Sequence, residues 1–439
     1  MLERIKTVLL FVLVGISLFL SLLIWEGLPV PTTPSSNPPS GGTFWGASLD
    51  PLELMVPARI IVHLDEGRHS LLYPDGSLFN RAWRPVLDVL QQLGGRRTEE
   101  LKLQPADLSQ WQEAQKGIGL ELVFDFPVDG QMWGYSLGYN QKLSLNWPVK
   151  RMIIQTSPEP VLVLASSSGD DFVRLEIPGN SENLATVLEE LAGDDLPRYV
   201  QLDDTPHAPF GIYIPEQDLS YPLLRMTGEK LQPNVVAGSF FADLSLTRCI
   251  NERDGATIYS DGRRGVRVWP EGLVEYSAPE VLQGVRLPHT QALSRAIRFV
   301  TQHGGWFHNM RLAQLEEVSS GTAQMFYRLG FRQYECGLPV AGFQVELELS
   351  DRGVASYRRE MLVSERMATK DILSVTELQE NLASMVADGV KVTDVYPGYT
   401  TEDDHQVVGR LLRPAWLVEL QDGQVKVLGP GLPHGGDAK

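Results

Sequence analysis

Thr257-Ile258-Tyr259-Ser260-Asp261-Gly262-Arg263-Arg264-Gly265-Val266-Arg267-Val268-Trp269-Pro270-Glu271-Gly272-Leu273-Val274-Glu275-Tyr276 holds three short runs rich in β-branched and aromatic residues, separated by two turns. Asp261-Gly262 marks the first turn and Pro270-Glu271-Gly272 the second. Runs of this kind, closed by tight turns, predict a meander of short antiparallel strands.

The same grammar recurs on both sides. Upstream, Phe210–Ile214 reads as a short strand and Val235–Ala242 as a short helix. Further back, strands are expected at Arg59–Leu64, Gly119–Phe126, Arg151–Gln155, Val161–Ala165 and Phe172–Ile177, with helices at Trp83–Leu93 and Ser181–Leu191. Pro74-Asp75-Gly76 suggests a hairpin turn within Leu71–Phe79. Downstream, a helix over Thr290–Gln302 ends at Gly304-Gly305. Strands follow at Arg311–Val318, Ala323–Arg332, Phe343–Leu349 and Val354–Val363. Val375–Val386 forms a helix with Thr376 as its cap. Strands at Val390–Tyr396, Val407–Leu412, Ala415–Leu420 and Val425–Leu428 close the chain. Strands and helices that do not alternate strictly imply an α+β fold of mixed, mainly antiparallel sheets with packed helices. A helix followed by a meander occurs twice, which fits either a duplication or the general likeness of hairpin sequences.

Thr7–Trp25 reads TVLLFVLVGISLFLSLLIW, with no charge in 19 residues. As a helix it spans about 28 Å, close to the bilayer's hydrocarbon thickness. Arg4 and Lys6 precede it and Glu26 follows, so the N-terminus is expected in the cytoplasm and the rest outside the cell membrane. A cleaved signal peptide would have a shorter apolar run and an A-x-A site, whereas Trp25-Glu26-Gly27-Leu28-Pro29 follows here. The expected layout is a cytoplasmic tail at 1–6, a transmembrane anchor at 7–25 and a Pro/Ser/Gly-rich linker at 26–50. Three ectodomain parts follow at 51–196, 197–288 and 289–439. Gly15, Ser17 and Ser21 place small residues near one helix face, a spacing that lets helices approach in lipid. Single spans also carry such residues with no partner against them. The short cytoplasmic tail implies that any signal crosses the membrane through a partner.

The 439 residues carry a net charge of −17, which argues against a nucleic-acid partner. Two cysteines, Cys249 and Cys336, exclude a disulfide scaffold, a four-cysteine zinc site and a cysteine-ligated iron–sulfur cluster. They fall in different parts of the chain, and a bridge would need Cα atoms within about 7 Å. Two separate buried thiols are the other reading.

Catalytic patterns are thin. Gly134-Tyr135-Ser136-Leu137-Gly138 fits G-x-S-x-G, but no buried helix is expected to begin there. His303 and His308 lack a third metal ligand, and Glu402-Asp403-Asp404-His405 lacks calcium-loop spacing, as do Asp194-Asp195 and Asp203-Asp204. No nucleotide-binding glycine pattern is present. No catalytic, cofactor or metal residue is therefore assigned.

The anchor beginning Ile5-Lys6-Thr7-Val8-Leu9-Leu10, then Ile61-Val62-His63, then Phe240-Phe241-Ala242-Asp243-Leu244-Ser245 and Tyr259-Ser260-Asp261-Gly262-Arg263-Arg264-Gly265 together resemble the YycH family. The last part, with Gly342–Tyr357, Tyr396-Pro397-Gly398-Tyr399 and Leu412-Arg413-Pro414-Ala415-Trp416, resembles the C-terminal part shared with YycI. The resemblance implies a bitopic, non-catalytic regulator of a WalK (YycG) type sensor histidine kinase, acting with a YycI-like protein on cell-wall metabolism. It implies contact partly through the transmembrane helices. Within the motif, Phe240 and Phe241 are expected in the core and Asp261-Gly262 in a turn, with Gly265 supplying an unusual backbone angle. Phe240, Phe241, Asp243, Tyr259, Asp261, Gly262 and Gly265 thus read as fold markers. A tethered cell-wall or ligand-binding module is the alternative.

Overall fold

The computed structural model describes Lys6 and residues 51–429, apart from 65–66, 75, 95–100, 138–146, 157–159, 178–181, 203–206, 229–230, 283, 307–308, 321–323, 361 and 402–410. The apolar run 7–25 and the linker lie outside the described residues. Among those described, no helix is long and apolar enough to cross a membrane.

The chain opens with helix α1 (Pro51–Leu54) and strands β1 (Arg59–His63) and β2 (His69–Leu72). Helix α2 (Ser77–Gly94), β3 (Gln104–Ala106), α3 (Leu108–Lys116), β4 (Gly119–Val128) and α4 (Gly130–Ser136) follow. Then come β5 (Val149–Gln155), β6 (Val161–Ser166), β7 (Phe172–Glu176), α5 (Glu182–Gly193), β8 (Tyr199–Gln201) and β9 (Tyr213–Pro215). These nine strands form one sheet in the order β3-β7-β6-β5-β4-β1-β2-β8-β9.

The hairpin expected around Pro74-Asp75-Gly76 is not there. The hairpin joins β1 to β2 one turn earlier, with His63 opposite His69, and helix α2 starts at Ser77. Phe79, Ala82, Trp83, Val86, Leu90 and Leu93 share the 3–4 spacing and are all buried, so burial of that helical stripe decides the local structure. The chain also forms α3, which the sequence reading missed. Asp107 caps it, accepting from Gln110 N at 3.0 Å while Gln110 Oε1 accepts from Asp107 N at 3.1 Å.

Next come β10 (Leu219–Gly228), α6 (Pro233–Phe240), β11 (Arg248–Asn251), β12 (Thr257–Ser260), β13 (Gly265–Val268), β14 (Leu273–Ser277) and α7 (His289–Gln302). The remainder is β15 (Met310–Ser320), β16 (Gln324–Glu335), β17 (Leu338–Pro339), β18 (Val345–Ser350), β19 (Gly353–Glu360), β20 (Leu362–Leu373), α8 (Val375–Ala387), β21 (Val392–Thr401), β22 (Leu411–Leu420) and β23 (Val425–Leu428). A second sheet runs β20-β10-β22-β21, with β23 beside β22, and a third runs β11-β12-β13-β14-β19-β18-β16-β15, with β17 beside β16.

All the pairings between named strands are antiparallel. The α+β fold with antiparallel sheets and packed helices is the architecture found. The boundary at 288 separates stretches of sequence but not sheets. β10 lies between β20 and β22, and β14 pairs with β19. β8 and β9 carry the first sheet past residue 196. Val354–Val363, read as one strand, is broken after Glu360, where the chain leaves the third sheet for the second. Ser374, not Thr376, caps α8 and accepts from Glu377 N at 3.3 Å.

The first sheet is buried on both faces. Ile60, Val62, Leu120, Leu122, Met152 and Ile154 face a core shared with α2 and α5. The alternate positions Arg59, His63, Glu121 and Arg151 are buried too. The third sheet covers one face with Val266, Val268, Val274, Tyr357, Val345 and Leu347. Its other face carries charges in cross-strand register: Arg267 opposite Glu275, Glu275 opposite Arg358, and Arg358 opposite Glu346. That is the alternation of a sheet with one face wet.

Candidate functional site

The motif residues gather where α6 meets the meander. Phe240 and Phe241 are buried. The Phe240 ring stacks on His303 at 4.2 Å and on Tyr276 at 5.0 Å, and it meets Phe299 at 6.1 Å. Asp243 begins a short 3₁₀ turn, accepting from Ser245 N at 2.8 Å. Asp261 Oδ1 accepts from the backbone of Arg263 and Arg264, both at 3.0 Å. Its Oδ2 takes the Arg264 Nε–H at 2.9 Å. This holds the Arg264 guanidinium 5.1 Å above the Phe241 ring. Gly262 takes φ +90°, a conformation that favours glycine. Gly265 does not depart from ordinary strand geometry. It pairs with Ser260 and Ser277, so the expected unusual angle belongs to Gly262. Tyr259 lies in β12, opposite Cys249 and Val266. The motif therefore ties α6, the meander and α7 into one aromatic core.

Other candidates separate. Gly134-Tyr135-Ser136 ends α4, where a nucleophile elbow needs a strand feeding a helix, and Gly138 lies outside the described residues. Asp129 caps α4, accepting from Gln131 N and Met132 N, and its other oxygen lies 2.6 Å from His289 Nδ1. His303 is held by Phe240 and by Ser239 Oγ at 3.2 Å. Burial, reinforced by Arg264, lowers its pKa to about 4. His308, Asp203-Asp204 and Glu402–His405 lie outside the described residues, as do Gly15, Ser17 and Ser21. Asp194 pairs with Arg81 at 2.6 Å. Cys249 and Cys336 are free thiols, and Cys249 is exposed rather than buried. Among the described residues no three of His, Cys, Asp and Glu come together as a metal site.

The most unusual chemistry lies where the first sheet meets the other two. Arg151 Nη1 donates to Glu121 Oε1 at 2.8 Å and Nη2 to Asp394 Oδ2 at 2.5 Å. Arg59 also donates to Asp394 and lies 4.5 Å over the Tyr396 ring. Glu121 Oε2 further accepts from Gln115 Nε2 at 3.0 Å and faces His63 Nε2 at 3.1 Å. His63 Nδ1 lies 3.0 Å from His69 Nδ1. Beside this chain, Asp125 takes the Tyr334 hydroxyl and sits 3.6 Å from Arg332, both on β16. The Lys150 ammonium donates to the Asp125 carbonyl at 2.6 Å. The Tyr396 hydroxyl donates to Glu419 at 2.8 Å.

Burying charge is costly unless each group is paired, and here opposite charges alternate. Burial opposes ionisation of Glu121, yet His63 and Arg151 bring its pKa down to about 2. Burial alone would lower the Arg59 pKa; Asp394 and Glu419 reverse that and keep it charged. Burial lowers the His69 pKa to about 4, with His63 adding to the effect. Sequence reading missed this layer. Its signal was a lone charge inside each apolar strand, such as Glu121 between Leu120 and Leu122.

Residues 211–428 match the family described as YycH protein, C-terminal domain. The chain belongs to the YycH family. The matched part contains every residue of the aromatic motif together with Asp394, whereas Arg59, His63, Glu121 and Arg151 precede it. The fold is similar to the crystal structure of YycH from Bacillus subtilis, with a TM-score of 0.67 and 14% identity over 89% of this chain and all of that one. An uncharacterized protein from Eubacterium rectale aligns with a TM-score of 0.34 and 9% identity over 54% of this chain and 88% of that one. No curated protein matches the chain. The YycH likeness thus extends in fold over the first sheet as well, beyond the segment matched in sequence.

Proposed function

We propose that this YycH-family chain is a membrane-anchored, extracytoplasmic accessory protein. It binds and modulates a WalK-type sensor histidine kinase, with a YycI-like protein as second partner, and so affects cell-wall metabolism. It performs no catalysis of its own. The observation that carries this reading is the family match over residues 211–428. The uncharged apolar run 7–25, preceded by Arg4 and Lys6, supports a single-pass anchor with the bulk of the chain outside the cell. Ser17 and Ser21, four apart, supply a small-residue face, with Gly15 nearby, for contact with the kinase helices.

Replacing 7–25 with an unrelated span of equal length tests the helix contact. Kinase-dependent transcription should change while expression stays normal. Unchanged output at normal expression would contradict the contact.

A further inference from the structure

The buried His63–His69 pair has no part in the kinase reading. His63 is fully buried and His69 is 6% exposed. Two ring nitrogens 3.0 Å apart need one hydrogen between them. A single assignment satisfies both contacts with neutral rings. His63 Nε2–H donates to Glu121, and His69 Nδ1–H donates to His63 Nδ1.

The groups facing the pair come from every neighbouring element. β4 supplies Glu121 and β5 supplies Arg151, while α3 contributes the Gln115 amide. β8 places Tyr199 opposite His69. β9 places the Tyr213 ring 4.9 Å from His69 and 6.1 Å from His63. One step further lie Asp394 of β21 and Arg59 of β1. Arg59 and Arg151 balance Glu121 and Asp394, so the neutral histidines leave the layer without net charge.

A proton added to the pair enters at His69 Nε2, since the other three ring nitrogens lie in the Glu121–His63–His69 contacts. The His69 imidazolium donates through Nδ1–H to His63, strengthens the hold of His63 on Glu121 and so competes with Arg151 for that carboxylate. Arg151 holds the second sheet with its other nitrogen.

We propose that the His63–His69 pair is a proton-responsive switch for the joint between the first and second sheets, which loosens at Asp394 when the pair is protonated. The sense of the switch follows from burial. His69 titrates near 4 when folded, below the ordinary 6.5. The joint is therefore closed at neutral pH and opens as the pH falls toward 4.

Hydrogen exchange on the full-length protein in detergent, corrected for intrinsic rates, tests this between pH 7 and pH 4.5. On acidification, exchange in Val392–Thr401 should rise about ten-fold more than exchange in Val345–Ser350 of the third sheet. His69→Gln should abolish that excess. An excess of equal size in His69→Gln, or none in the wild type, overturns the proposal. Should His69→Gln fail to fold, the wild type decides: a larger loss in Val392–Thr401 than in Val345–Ser350 supports the switch, and equal loss in both segments overturns it.

Discussion

Arg151 donates through Nη2 to Oδ2 of Asp394 at 2.5 Å, joining residues 243 positions apart. Arg59 meets the same oxygen. One carboxylate on β21 thus answers two guanidiniums, on β1 and β5, which flank β4 in the first sheet. The first and second sheets are held together by paired charge as well as by apolar packing.

Asp394→Ala leaves both guanidiniums buried without that partner. Removing one member of a buried ion pair costs about 3–5 kcal/mol, and a urea midpoint lowered to that extent is expected. The double variant Asp394→Leu/Arg59→Met removes the carboxylate together with the guanidinium it pairs on β1, and leaves Arg151 paired with Glu121. It should be clearly more stable than Asp394→Ala alone.

Phe240 stacks between His303 and Tyr276, with Phe299 beside it. Phe240→Ala opens a cavity among α6, α7 and the meander. The expected loss is about 3–5 kcal/mol, read as a lower unfolding midpoint in urea.

Gly262 and Gly265 should respond differently although both belong to the motif. Gly262 has φ +90°, so Gly262→Ala is expected to cost about 1–2 kcal/mol even though open space surrounds it. An added Cβ at Gly265 would meet nothing closer than 3.7 Å, and its strand geometry suits alanine. Gly265→Ala should change stability by less than about 0.5 kcal/mol. Thermal unfolding of the two variants checks the contrast.

The meander that ran from Thr257 to Tyr276 was readable because local turn residues and alternation fix it without help from the rest of the chain. Helix α7 was readable for the same reason, with Leu293, Ile297 and Val300 on its buried face. Ser77–Gly94 was only half-read, because Pro74-Asp75-Gly76 looks like a turn whichever element follows. The joint was not legible. Periodicity says which side of β4 carries Glu121, but not that α3 and β21 cover that side. Nothing local to Asp394 points to Arg59, 335 positions away.

Stability should depend on pH in two stages. His69 and His303 both titrate near 4 when folded and near 6.5 when unfolded. Their contribution is complete above pH 6.5 and is lost as the pH falls toward 4. Glu121 titrates near 2 when folded and near 4.5 when unfolded. Its contribution is present above pH 4.5 and disappears between 4.5 and 2. Urea midpoints should be flat from pH 8 to 7 and fall below pH 6.5. His303→Phe should flatten part of the first stage.

The sensor-kinase partnership proposed from the family match can be read out in membranes. Purification of the tagged full-length protein from detergent-solubilised membranes of its native cell tests it most directly, with mass spectrometry of whatever accompanies it. A WalK-type sensor histidine kinase should be retained with the wild type and reduced when 7–25 is exchanged. An intact, correctly folded protein that retains no sensor kinase would contradict the account.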